Sequence, residues 1–228
     1  MIDHAHDLAS VRDATERLLT AVAELDGAAV TQPSRLPGWT RGHVLAHLAR
    51  NADALVNVLQ GRPMYVSGEA RDADIERDAP RPLQAQLADV RESAARFQQA
   101  GAAPQDWART VELRNGVTDS ASRVPFRRWV EVELHHVDLD IGYELEDLPA
   151  AFTQREIGFL ADRFGGHPGV PATRLTDGTR AWHTGRAAPE PEVEVTGSPA
   201  DLLGWLAGRR DGTGLAVRGG PLPALPPL

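Results

Sequence analysis

The stretch Leu36-Pro37-Gly38-Trp39-Thr40-Arg41-Gly42-His43-Val44-Leu45-Ala46-His47-Leu48 decides how this chain folds. Gly38 interrupts what precedes it, and Thr40 is a good N-cap. Val44, Leu45, Leu48 and Leu55 then recur at helical spacing, which predicts a helix from Thr40 to about Gln60 with Gly61 as its stop. His43 and His47 are four apart and share one face of that helix. A histidine pair on a helix is, by itself, more often a partly buried polar feature than a metal site. A second element shifts that balance.

The second element is Arg127-Arg128-Trp129-Val130-Glu131-Val132-Glu133-Leu134-His135-His136-Val137-Asp138-Leu139. Pro125 suits a first helical turn, and Trp129, Val132 and Leu139 supply an apolar stripe, so this helix is expected from Pro125 to Ile141, closed by Gly142. Glu131 and His135 project from the same face. A carboxylate and an imidazole turned toward an apolar core cost several kcal/mol unless they are partnered, and a shared cation removes that cost.

Together the two helices offer His47, Glu131 and His135. Three N/O protein ligands with one open position is how catalytic zinc is usually held. Fe(II), nickel or manganese would suit the same set, because ligand type separates these metals only weakly. His43 and His136 are left as spares. Glu133, Asp138 and Asp140 read as outer partners or solvated charges, and Arg127-Arg128 as surface charge. Arg71 and Arg209 lie in glycine-containing turns, where a guanidinium can clamp a carboxylate; the residues alone leave that role open.

Two further amphipathic helices are expected, from about Asp7 to Gly27 and from Pro82 to Gly101. Residues 62–75 have no clean period and read as an ordered connection that can close over a site, and an irregular stretch holds Trp107 and Asn115-Gly116. Four helices with longer crossovers imply a four-helix bundle over residues 1–149. Beyond Pro149 come a helix near Thr153 to Phe164 and β-like runs at 173–176, 180–183 and 192–195. A helix capped at Ser198, a last strand near Leu215 to Val217 and a Pro-rich extended tail, 221–228, complete a small α+β domain over 150–228. The fold class is therefore α+β.

The composition narrows the function. Among 228 residues there is no cysteine, which excludes disulfides, thiolate metal sites and a cysteine nucleophile, so any thiol chemistry needs a thiol brought from outside. A net charge of -8 argues against general binding to nucleic acid or an anionic membrane. No run approaches the roughly 20 apolar residues of a membrane span. The polar, acidic start lacks the layout of a signal peptide, and a cytoplasmic monomer is expected.

The two quoted stretches, with Met64-Tyr65-Val66-Ser67-Gly68-Glu69-Ala70-Arg71 between them, are similar to the mycothiol-dependent maleylpyruvate isomerase family. Gly197-Ser198-Pro199-Ala200-Asp201 through Ala207-Gly208-Arg209 resembles that family's C-terminal domain, and the resemblance spans nearly the whole chain. It implies a DinB-like four-helix bundle that binds a divalent metal, typically zinc, through His47 rather than His43, with Glu131 and His135. It also implies that Arg71 and Arg209 are active-site arginines. The implied reaction is the cis-trans isomerisation of maleylpyruvate to fumarylpyruvate in gentisate breakdown, and an actinobacterial source follows only through mycothiol. Zinc would present the mycothiol sulfur as thiolate, which adds to the double bond; rotation and elimination follow while the arginines hold the carboxylates and stabilise the enolate.

Relatives with the same triad can instead transfer mycothiol to another small electrophile, or act without thiol as metal-dependent cyclases or hydrolases. A non-catalytic metal-binding module is a further alternative. Product mass separates transfer from isomerisation, and thiol-independent turnover would identify the cyclase or hydrolase.

Overall fold

The computed structural model describes residues 2–227; Met1 and Leu228, at the ends of the polar start and of the extended tail, lie outside the described residues. The chain divides into two compact units, one ending at Tyr143 and one beginning at Glu144. The first contains α1 (His4–Ala23), α2 (Arg41–Leu59), α3 (Gly68–Asp78), α4 (Leu83–Ala102), the strands β1 (Thr110–Glu112) and β2 (Thr118–Ser120), and α5 (Val124–Asp138). Helix α1 packs on α4 and α5, and α2 packs on the same two, which closes the four-helix bundle. Val11, Leu18, Leu45, Leu48, Val90, Phe97, Phe126 and Val132 fill its core.

Each helix begins where its sequence allows it to. Asp3 accepts from the His6 amide at 3.0 Å and opens α1, slightly before the expected start. Thr40 opens α2 with a capping box in which the third residue is His43, whose Nδ1 accepts from the Thr40 amide at 3.2 Å. Two arginines from this region then reach the far end of α5. Arg41 donates to the carbonyls of Leu139 (2.8 Å) and Asp140 (2.7 Å), and the Arg35 amide donates to the Asp138 carbonyl at 2.8 Å. These bonds satisfy carbonyls that a helix C-terminus leaves open. They also lock the start of α2 to the end of α5, with Asp140 in the left-handed region at φ 55°.

Two segments differ from expectation. The stretch after α2 is not simply a connection: it contains the helix α3, capped by Ser67, which accepts from the Ala70 amide at 3.1 Å. The helix escapes a periodicity reading because Ile75 and Asp78 are its only buried residues, so it carries no apolar stripe. The irregular stretch before α5 contains the hairpin β1–β2, with Val111 opposite Asp119 and Asn115 (φ 60°) and Gly116 (φ 72°) turning the chain. Its three-residue strands are too short to show alternation.

Helix α3 lies against α2 because of Gly42. A Cβ there would stand 2.1 Å from the Ala79 carbonyl oxygen, so only glycine permits this approach of backbone to backbone. Buried Gln86 of α4 fastens the contact, donating to the carbonyls of Asp78 (2.8 Å) and Ala79 (3.1 Å).

The second unit contains α6 (Ala150–Arg163), the strands β3 (Thr173–Thr176), β4 (Ala181–Thr184) and β5 (Val193–Thr196), α7 (Pro199–Leu206) and β6 (Ala216–Arg218). The sheet order is β4-β3-β5-β6, with β3 and β5 parallel and the outer pairs antiparallel. Leu175 and Val195 are fully buried, and α6 packs on α7 and β4. The whole is α+β, as expected. Among the described residues no helix is long and apolar enough to cross a membrane.

Gly42→Ala is expected to lower unfolding stability by about 1–3 kcal/mol, the usual cost of overpacking. Urea unfolding of the two proteins measures it, and an unchanged midpoint would mean that α3 yields without cost.

Candidate metal centre

His47 of α2 and Glu131 and His135 of α5 meet inside the bundle, each offering one ligand atom, and those atoms all lie within 4.8 Å of one another. Glu131 is the hinge of the group. Its Oε2 lies 2.9 Å from His47 Nε2 and 3.2 Å from His135 Nε2. The two imidazoles stand edge to face with centroids 4.6 Å apart. The donor set, two imidazole nitrogens and a carboxylate with both Nε2 atoms turned toward one oxygen, suits a divalent ion of the zinc type.

The surroundings tune each group. Asp138, fully buried, holds His135 Nδ1 at 2.8 Å, which orients the ring so that Nε2 faces the cluster. Burial would lower the His135 pKa, but the hydrogen bonds with Asp138 and Glu131 outweigh it and raise it. Glu131 shows the complement: burial pushes its pKa up, and the bonds to both histidines carry it well below the usual carboxylate range. His47 is dominated by burial, which lowers it to about 4 against the opposing bond to Glu131, so the ring stays neutral. Neutral imidazole and ionised carboxylate are the forms that bind metal.

Arg71 lies on the helix α3 and not in the glycine-containing turn expected, because Ser67 caps a helix there, and it reaches the cluster from outside. Its Nη2 lies 3.1 Å from His47 Nδ1, while Nη1 donates to Asp72 at 2.6 Å. Its guanidinium carbon stands 6.0 Å from the centre of the Tyr65 ring. Tyr65 in turn lines a cleft of about 540 Å³ with Ser67, Arg109, Arg114 and Asn115. Burial raises the Tyr65 pKa, which keeps its hydroxyl protonated. Trp39, just ahead of α2, has its ring 5.6 Å from that of His47.

The remaining candidates fall elsewhere. His43 is spent in the α2 cap and faces Glu76 at 3.4 Å. His136 stacks on Tyr143 at 4.0 Å. Glu133 is no outer partner of the cluster: two residues along a helix turn it away, and it takes Arg17 (2.6 Å), Trp129 Nε1 (3.0 Å) and the Tyr143 hydroxyl (2.9 Å). Asp140 pairs with Arg35 at 2.9 Å. Nor is Arg127-Arg128 plain surface charge. Arg127 pairs with Asp119 at 2.7 Å, and Arg128 is only 1% exposed, bonded to the Leu48 carbonyl (2.9 Å) and Asn51 Oδ1 (2.8 Å) one turn from the triad. A charge doublet in the sequence cannot show which member points inward. Arg209 lies in the C-terminal unit, in the turn after α7, where its amide donates to the Gly204 carbonyl at 2.7 Å.

A four-helix bundle with an inward His/Glu/His cluster, followed by a small mixed-sheet unit, defines a class of two-part proteins able to hold a metal in the bundle. Residues 11–140 match the family described as the mycothiol maleylpyruvate isomerase N-terminal domain, and residues 147–227 match that family's C-terminal domain. The chain belongs to the mycothiol-dependent maleylpyruvate isomerase family of enzymes. A crystal structure of the mycothiol-dependent maleylpyruvate isomerase is similar at 28% identity and TM-score 0.88, covering 99% of this chain and 97% of that one. A histidine-to-alanine mutant of that isomerase is similar at 27% identity with the same TM-score and coverage. No curated protein matches.

A proton on His135 Nε2 competes with any ion bound there, and the raised pKa of His135 strengthens that competition. Zinc affinity, followed by chelator competition, is therefore expected to fall as pH drops through the His135 pKa. Asp138→Asn is expected to weaken zinc about 10- to 100-fold at neutral pH, the usual cost of losing a ligand's orienting partner. Equal affinity in the variant would remove Asp138 from the centre.

Proposed function

We propose that this protein isomerises maleylpyruvate to fumarylpyruvate with mycothiol as the thiol and a divalent ion, zinc by donor chemistry, held by His47, Glu131 and His135. The observation that carries the reading is the meeting of these three side chains, from helices more than 80 positions apart in sequence, with their ligand atoms inside 4.8 Å. Family membership supports maleylpyruvate as the substrate and mycothiol as the thiol; the absence of cysteine requires that the thiol come from outside.

A divalent ion in such a site lowers the pKa of a bound thiol and supplies it as a nucleophile at neutral pH. The chain's own groups do the rest. Glu131 and the two histidines bind the ion, and Asp138 keeps the His135 ring turned toward it. Arg71 is placed to take a carboxylate and to stabilise negative charge that spreads toward it when the double bond becomes a rotatable single bond. The same role is proposed for Arg209. The cleft beside Tyr65 gives a small anionic substrate an approach, and Arg114 in its lining favours an anion.

The direct test is a maleylpyruvate assay on zinc-loaded protein with and without mycothiol, with His47→Ala as blank. Turnover is expected only with both thiol and His47, the variant falling by at least about 10²-fold, the range in which one group acting on the transition state is felt. A product that retains the thiol by mass would make the protein a mycothiol transferase, and thiol-independent turnover would make it a cyclase or hydrolase.

A further inference from the structure

The contact between Arg71 and His47 has a chemical consequence for the metal. Arginine has only donors, so across 3.1 Å His47 Nδ1 must be the acceptor. The proton of the neutral ring then sits on Nε2, where it is donated to Glu131 Oε2 at 2.9 Å. A metal bound at Nε2 needs the opposite arrangement, a lone pair on Nε2 and the proton on Nδ1. That proton would point at the N–H of Arg71, donor against donor. His135 has no such conflict, because its Nδ1 faces the carboxylate of Asp138, which accepts.

We propose that Arg71 and the divalent ion are alternative occupants of His47. Entry of the metal moves the ring proton from Nε2 to Nδ1 and releases Arg71 Nη2, so that the carboxylate-binding arginine becomes available only once the metal is in place. The ring is neutral in both states and no oxidant or co-reactant is needed; the proton changes nitrogen, and the metal takes the lone pair left behind. The released guanidinium does not drift away, since Nη1 is held by Asp72 at 2.6 Å and the side chain is only 11% exposed. The protein thereby loads in order, metal before anion, and metal-free protein does not hold substrate unproductively. The inference rests on the metal-centre reading above.

Long-range ¹H–¹⁵N spectra of the histidine side chains test it without turnover. The expected result is His47 as the Nε2–H tautomer in metal-free protein and as the Nδ1–H tautomer after zinc is added. Arg71→Met is expected to bind zinc roughly three- to tenfold more tightly than wild type, the worth of one hydrogen bond that no longer has to be broken. Maleate, added without thiol, is expected to bind zinc-loaded wild type at least tenfold more tightly than metal-free protein, and that gain is expected to vanish in Arg71→Met. Nδ1–H in metal-free wild type, or equal zinc affinity in wild type and Arg71→Met, overturns the exchange while leaving the metal centre intact. A gain in maleate binding that survives in Arg71→Met assigns the anion to the metal and overturns the release of Arg71. Zinc binding that is the same in wild type and His47→Ala overturns the metal centre itself.

Discussion

The structure depends on one charge, half-buried in the bundle. Glu131 lies on the inner side of α5, between two imidazoles that come from different helices, and its carboxylate remains ionised because both Nε2 atoms face it. An unpartnered carboxylate in that position would be strongly disfavoured, so the pairing of α2 with α5 and the ionisation of the cluster are a single problem with a single solution. The fold presents to a cation the same atoms that it uses to satisfy itself.

Holding that geometry takes contacts well outside the cluster. Arg41 and Arg35 dock the start of α2 onto the last carbonyls of α5, which sets how far His47 stands along the axis from His135. On the other side Gly42 lets α3 approach α2, and Gln86 secures the helix end, so that Arg71 arrives beside His47. Four residues of the opening stretch thus divide the work. His43 caps, Arg41 docks, Gly42 makes room and His47 faces the site.

Helix α5 is loaded on both faces. Toward α2 it carries Arg128, Glu131 and His135; on the other side Glu133 gathers Arg17, Trp129 and Tyr143, and His136 stacks on Tyr143. A fully buried Glu133 with three donors pins α5 to α1 and fixes the helix's rotation about its axis. That rotation decides which carboxylate enters the cluster, and it selects Glu131.

What the sequence by itself determined follows from periodicity and chemistry. The four bundle helices, the α+β second unit and the shared face of Glu131 and His135 were legible, because apolar spacing sets helix faces and residues four apart share one face, whereas the choice of His47 over His43 came from the family resemblance. Helix α3 and the hairpin β1–β2 were not, since one is polar nearly all round and the other has strands too short to alternate. The direction of Arg128 into the core, the turning of Glu133 away from the site and the seating of Arg71 on His47 were decided only by tertiary structure. Each depends on which neighbour stands opposite, and that neighbour lies on another helix, far off in sequence, where local spacing carries no information.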